Sequence, residues 1–165
     1  ATGTDMTLVP YRGVSASKVD LALFPEGHKD VGALVQAVRD GVDFAGRYAV
    51  AEVACGTNCL RYSLIDVETG LVIAHDIVTE YGADFMPESS LFVTNPIGRL
   101  PQLSENPYET ESMALTLARL SREYYRLTYE TLSDTSYLVR ECVESAATGY
   151  IEIEDDRIGV IDAEL

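Results

Sequence analysis

The chain has no tryptophan, two histidines, three cysteines and 12 basic residues against 27 acidic ones. The formal net charge of -15 repels nucleic acid and anionic lipid, so neither is expected as a partner. No apolar run approaches the ~20 residues a membrane helix requires, so no helical membrane span is expected. Also missing are a Walker loop, a G-x-G-x-x-G, a G-x-S-x-G and an H-E-x-x-H. His28 and His75 stand apart in sequence without a partnered nucleophile, so no catalytic triad is expected. His28 reads as exposed, and His75 as a sheet-face residue bonded locally. A structural zinc site needs about four ligands, and only Cys142 and these histidines lie outside the Cys55 and Cys59 pair, so no metal and no cofactor is expected.

What is present suits a folded domain. Hydrophobic residues make up 47% of the chain and charged residues 24%, enough for a core and too apolar for disorder. One domain over residues 1–165 is expected, because no repeat or linker divides it. No signal peptide is visible, and Ala1-Thr2-Gly3-Thr4 reads as the start of a processed chain.

Val9-Pro10-Tyr11-Arg12-Gly13 reads as an extended arm with a turn, and Val19–Phe24 as a short edge strand. Pro25 suits a first helical position. Val31, Leu34, Val35 and Val38 then follow at i, i+3, i+4 and i+7, and Gly41 supplies the stop. This helix is expected to dock its stripe on a sheet. Arg47–Ala54 alternates as a strand, with Tyr48 and Val50 on one face and the small Ala49 and Ala51 on the other. The small face predicts close approach of the helix. Leu60–Val67 and Leu71–Ile77 complete an antiparallel meander.

Leu91–Thr94 is a further short strand, ended by Asn95-Pro96. Residues 97–122 read as an insertion or surface excursion, in which Glu109–Leu120 reads as a second helix, with a strand alternating through Met113, Leu115 and Leu117 as the alternative. Glu123–Thr131 and Ser136–Val143 form a hairpin, and Tyr150–Ile153 with Ile158–Ile161 a last one. The acidic run Glu152, Glu154, Asp155, Asp156 lacks calcium-loop spacing and reads as a solvated turn. The whole predicts an α+β fold dominated by antiparallel sheet.

Cys55 and Cys59 flank Gly-Thr-Asn between two strands. Gly56 and Asn58 tolerate positive φ, so a disulfide closing a hairpin is the favoured reading. A redox-active dithiol is the alternative, although such pairs more often sit two residues apart at a helix start. Cys142, beside Leu138 and Arg140 on one alternation, reads as a buried free thiol. Tyr124, Tyr125, Tyr129 and Tyr137 gather on one hairpin and are candidate interface residues. Tyr48, Asn58 and Arg61 are candidate ligand-binding residues.

Several of these segments together resemble a family of small secreted bacterial proteins without an assigned function. The family pattern is N-F-A-G-x-Y, a strand, G-C-G-T-x-C, and a strand ending in D-x-x-T-G. Here it is carried by Asp43-Phe44-Ala45-Gly46-Arg47-Tyr48, by Cys55-Gly56-Thr57-Asn58-Cys59, and by Asp66 with Thr69-Gly70. Val19-Asp20-Leu21 before it and Ser90–Pro96 after it are also similar, so the likeness spans residues 9–96. Asp43, Arg47 and Ala54 depart from the usual Asn, His and Gly. The resemblance implies a periplasmic or secreted address and supports the disulfide; it implies no chemistry. From the disulfide signal, the missing catalytic motifs, the acidity and the tyrosine-bearing hairpin beside the insertion, the expected function is a non-catalytic envelope protein that binds a protein partner or serves as an accessory subunit. A periplasmic small-ligand binder or enzyme, and a lysozyme-type hydrolase inhibitor, are the alternatives.

Overall fold

A computed structural model describes residues 8–101 and 106–148. A 3-10 helix, Pro25–Asp30, runs into α1, Val31–Asp40. Strands β1 (Tyr48–Gly56), β2 (Cys59–Asp66) and β3 (Val72–Thr79) form an antiparallel sheet in the order β1-β2-β3. Strands β4 (Ala83–Asp84), β5 (Leu91–Thr94), β6 (Ser121–Glu130) and β7 (Thr135–Ser145) form a second, ordered β4-β5-β6-β7. A 3-10 turn, Ile97–Arg99, and the helix α2, Pro107–Arg119, lie between β5 and β6. The fold is α+β with antiparallel sheets, as the alternation of residues predicts.

Three layers result. Leu34, Ala37 and Val38 of α1 pack with Ala49, Ala51, Ile65, Val67 and Val72 on one face of the first sheet. The alanines let the helix approach closely, as their small size implies. Leu34 is fully buried, while Val31, the first residue of the stripe, stays exposed. The opposite face of the same sheet carries Tyr48, Tyr62 and Leu64, which pack with Phe44, Ala83 and Phe92. Tyr125, Leu127 and Leu138 of the second sheet close this layer. Phe92 is its hub, stacked on Phe85 at 5.7 Å and edge-on to Tyr62 and Phe44 at 5.7 and 5.9 Å. A smaller cluster of Leu100, Leu117 and Ala147 docks α2.

Residues 43–48 and 66–70 hold the first layer together. Tyr48 pairs with Asp66 across β1 and β2. Arg47 donates to Asp66 at 2.8 Å, and Asp66 accepts from the Glu68 and Thr69 amides, closing the turn into β3. At Gly70, φ is +80° and a Cβ would lie 2.0 Å from the Lys18 carbonyl oxygen. Only glycine fits there, because the N-terminal arm crosses the turn at that point.

Two expectations are corrected. Val19–Phe24 is not a strand: Asp20 alone bridges Leu71, in parallel. The Asp20 carboxylate accepts the Ala22 amide at 2.9 Å and bends the chain away before a second pair can form. Cys142 is exposed rather than buried. A register shift between Tyr124 and Tyr125 places Cys142 opposite Tyr124 while Arg140 stays opposite Tyr125. That bulge moves the thiol to the face turned away from Leu138 and the core. The hairpin expected over residues 150–161, and its acidic turn, lie outside the described residues.

Candidate functional site

The cysteine pair is a disulfide, Cys55–Cys59, with Cα atoms 5.0 Å apart. It closes the β1–β2 turn, in which Gly56 and Asn58 both take positive φ. Residues Ala54 to Asn58 are exposed, so the stapled tip projects into solvent. Beside it runs a cleft of about 570 Å3 between the tip and α2, lined by Asn58, Tyr81, Tyr108, Glu109, Ser112 and Met113. Tyr108 is 84% exposed and Leu115, on the same helix, 53%. A second hollow lined by Gly56, Cys59, Leu60 and Glu80 shares Asn58 and Tyr81 with the first, so the two form one surface.

The three candidate ligand residues do not meet. Tyr48 is buried at the far end of β1 from the tip, on the face turned to the second sheet. Arg61 pairs with Val53, in the alternation opposite to that of Tyr62. Asn58 alone reaches the cleft. The four hairpin tyrosines are also divided. Tyr125 packs into the core and donates to Glu123, while Tyr124 donates to Glu144 at 2.7 Å from the opposite face. Tyr137 pairs with Thr128 and shares the Tyr124 face, and Tyr129, 56% exposed, donates to Asp134 in the hairpin turn. Burial, then the hydrogen bond to a carboxylate and its charge, push both Tyr124 and Tyr125 up to about 12.

A separate polar cluster surrounds His75. The strand β3 bulges where Leu64 pairs with Ala74 but Tyr62 pairs with Ile77. There Ser63 alone faces two residues, His75 and Asp76, and Asp76 takes φ +54°. The His75 imidazole is 1% exposed. Its Nδ1 lies 2.8 Å from the Ser63 hydroxyl, and its Nε2 is buried without a hydrogen-bond partner. Arg61 donates from Nη1 to Asp30 Oδ2 and Asp76 Oδ1, both at 2.9 Å, and from Nη2 to Asp30 Oδ1 at 3.2 Å. Asp76 is held below the usual carboxylate range: burial opposes this, but the Arg61 hydrogen bond and the charges of a protonated His75, of Lys29 and of Arg61 outweigh it.

Ser63, His75 and Asp76 are the residue types of a nucleophile, a base and its orienter. The serine is buried, however, so its oxygen is not presented to a substrate. Sequence reasoning placed His75 correctly as locally bonded but did not anticipate Asp30 and Asp76 beside it. The one available signal was the polar His-Asp pair interrupting an apolar strand, which marks a bulge. Tyr108 was missed because it lies in the stretch read as an insertion or surface excursion, and Tyr81 because no motif or alternation marks it. No protein-family model, curated protein or solved structure matches the chain.

Proposed function

We propose that this is a non-catalytic protein of the bacterial envelope that binds another protein through the surface formed by its stapled hairpin tip and α2. The supporting observation is the cleft itself. Tyr81, Tyr108 and Met113 offer an apolar floor, Asn58 a polar contact held by a covalently closed turn, and Glu80 and Glu109 an acidic margin. A basic segment with an aromatic or aliphatic anchor complements that combination, and the overall charge of -15 favours its approach. The disulfide, together with the resemblance of residues 9–96 to secreted proteins, supports the oxidising address.

The test is site-specific photo-crosslinking in cells, from Tyr108 in the cleft and from Leu132, a 96% exposed turn residue of the β6–β7 hairpin. One adduct of defined mass is expected from position 108, weakened by Met113→Glu, and none from position 132. Equal crosslinking from both positions, or none from 108, overturns the proposal. A second reading draws on the exposed tip alone. A stiff projecting loop can fill a hydrolase cleft with little ordering cost. Inhibition of lysozyme-type hydrolases, lost on reduction of the disulfide, would favour that reading over the first.

A further inference from the structure

We propose that Asp30, His75 and Asp76 form a binding site for a divalent transition-metal ion of the zinc class, with Arg61 as the resident cation that the ion displaces. The three side chains bring ligand atoms within 4.8 Å of one another. They come from two directions: Asp30 from the last residue of the 3-10 helix, His75 and Asp76 from the β3 bulge. This site shares no residue with the cleft and does not depend on it.

The acidic pair alone would carry little, since carboxylates salt-bridged to an arginine are common. The histidine decides the matter. Its imidazole is almost wholly buried, yet Nε2 has no hydrogen-bond partner. A buried nitrogen left unpaired is costly, and native proteins rarely leave one without a reason. On the other side of the ring, Ser63 engages Nδ1 at 2.8 Å. When Nδ1–H donates to that hydroxyl, the Nε2 lone pair faces Asp76 Oδ1 with nothing between them. Metal-bound histidines show the same division, with one nitrogen held by a neighbour and the other given to the ion.

The spacing agrees. Ligands at zinc-like bond lengths in a tetrahedron stand about 3.3–3.4 Å apart. Nε2 and Asp76 Oδ1 are 3.4 Å apart, an ion pair when the ring is protonated and, for the neutral ring, a long spacing for a hydrogen bond that suits two ligands of one ion. Asp76 takes its left-handed backbone at the residue whose carboxylate meets this nitrogen. Gly27 is part of the same construction, because a Cβ there would lie 3.0 Å from Leu21 Cδ2 and 3.5 Å from His75 Cε1. The glycine lets the 3-10 helix settle against the ring and bring Asp30 into reach.

Arg61 Nη1 bridges Asp30 Oδ2 and Asp76 Oδ1, so it occupies the position of a cation shared by both carboxylates. An ion entering from the side of Asp76, whose side chain is 39% exposed, takes over that bridge. Arg61 retains Asp30 Oδ1 through Nη2. Two carboxylates and a neutral imidazole suit a borderline-soft divalent ion better than calcium or magnesium, which prefer oxygen alone. Arg61 and the nearby Lys29 are positive groups facing the site, and both weaken binding.

The experiment is a calorimetric titration of tag-free protein with Zn2+, paired with Co2+ titration read by visible absorption. One ion per chain is expected. His75→Gln and Asp76→Asn should each weaken binding by at least about tenfold. Arg61→Gln should strengthen it severalfold, because the competitor is gone, and His28→Gln should leave it unchanged. Since a buried histidine variant can fail to fold, nitrogen-15 NMR of the unaltered protein supplies a second readout. Zn2+ should shift His75 Nε2 and leave His28 in place. Absence of stoichiometric uptake by the unaltered protein, weaker binding in Arg61→Gln, or a response at His28 alone overturns the proposal.

Discussion

Arg122 shows how much one side chain can organise. It is 2% exposed and donates to the carbonyls of Asn95, Ala146 and Thr148 and to Glu144. One guanidinium thus ties β6 to the end of β5 and to the turn after β7. A lysine has the charge but not the planar fork, so it cannot reach all four of these acceptors at once. Arg122→Lys is expected to destabilise the protein by about 3 kcal/mol. Urea denaturation with unchanged m-value would show it, and a loss under about 0.5 kcal/mol would contradict it. Tyr62 acts on a smaller scale. Its hydroxyl donates to Glu52 at 2.7 Å and accepts the Ala83 amide at 3.1 Å, joining the two sheets. Tyr62→Phe should cost about 1–2 kcal/mol in the same assay, through the orphaned amide. Neither role was visible in sequence. Arg122 fell at the end of the stretch read as an insertion or surface excursion, and only the long-range contacts of β6 with the ends of β5 and β7 make it interior.

Among the elements, the meander and the first helix were legible because their periods are clean. Val31, Leu34, Val35 and Val38 define a helical stripe, and small and large residues alternate along β1. The structure differs only in winding the first turns as a 3-10 helix. Bulges account for most of what was not legible. In β3 the bulge gathers the His75 cluster, and between Tyr124 and Tyr125 it turns Cys142 outward. Each inserts a residue that no alternation rule anticipates. The candidate ligand trio is not brought together for a related reason, since sequence proximity to the cysteines says nothing about which face of the sheet a residue occupies. The disulfide was legible from its flanking residues. It spans a short loop, so by chain entropy it contributes only about 2 kcal/mol. The Cys55→Ser, Cys59→Ser double variant should therefore remain folded and lose at most that much stability in urea. Global unfolding of the variant at 25 °C would show that the staple holds more than its own turn.

For the molecule as a whole, pH acts through tyrosines. Burial, followed by hydrogen bonds to Glu144 and Glu123, raises Tyr124 and Tyr125 from 10.0 to about 12. Burial and Glu52 raise Tyr62 further, and burial raises Tyr48. Each of these phenols stays protonated in the folded chain at pH values where the unfolded chain has released its proton. The folded state then binds more protons than the unfolded one, so stability falls as pH rises. For Tyr124 and Tyr125 that contribution is complete below pH 10 and is lost between about 10 and about 12. Tyrosinate absorbance should lag behind that of free tyrosine and then rise cooperatively with unfolding. A smooth titration of all ten tyrosines near 10 would refute this.

The middle layer has a kinetic corollary. The strand β2 lies between two others and is covered by α1 on one side and the second sheet on the other, with Tyr62 through Val67 all buried. Solvent deuterium can reach its backbone amides only when both coverings part, which amounts to opening the whole protein. Those amides should be the last to exchange, and their rates should report the global unfolding free energy.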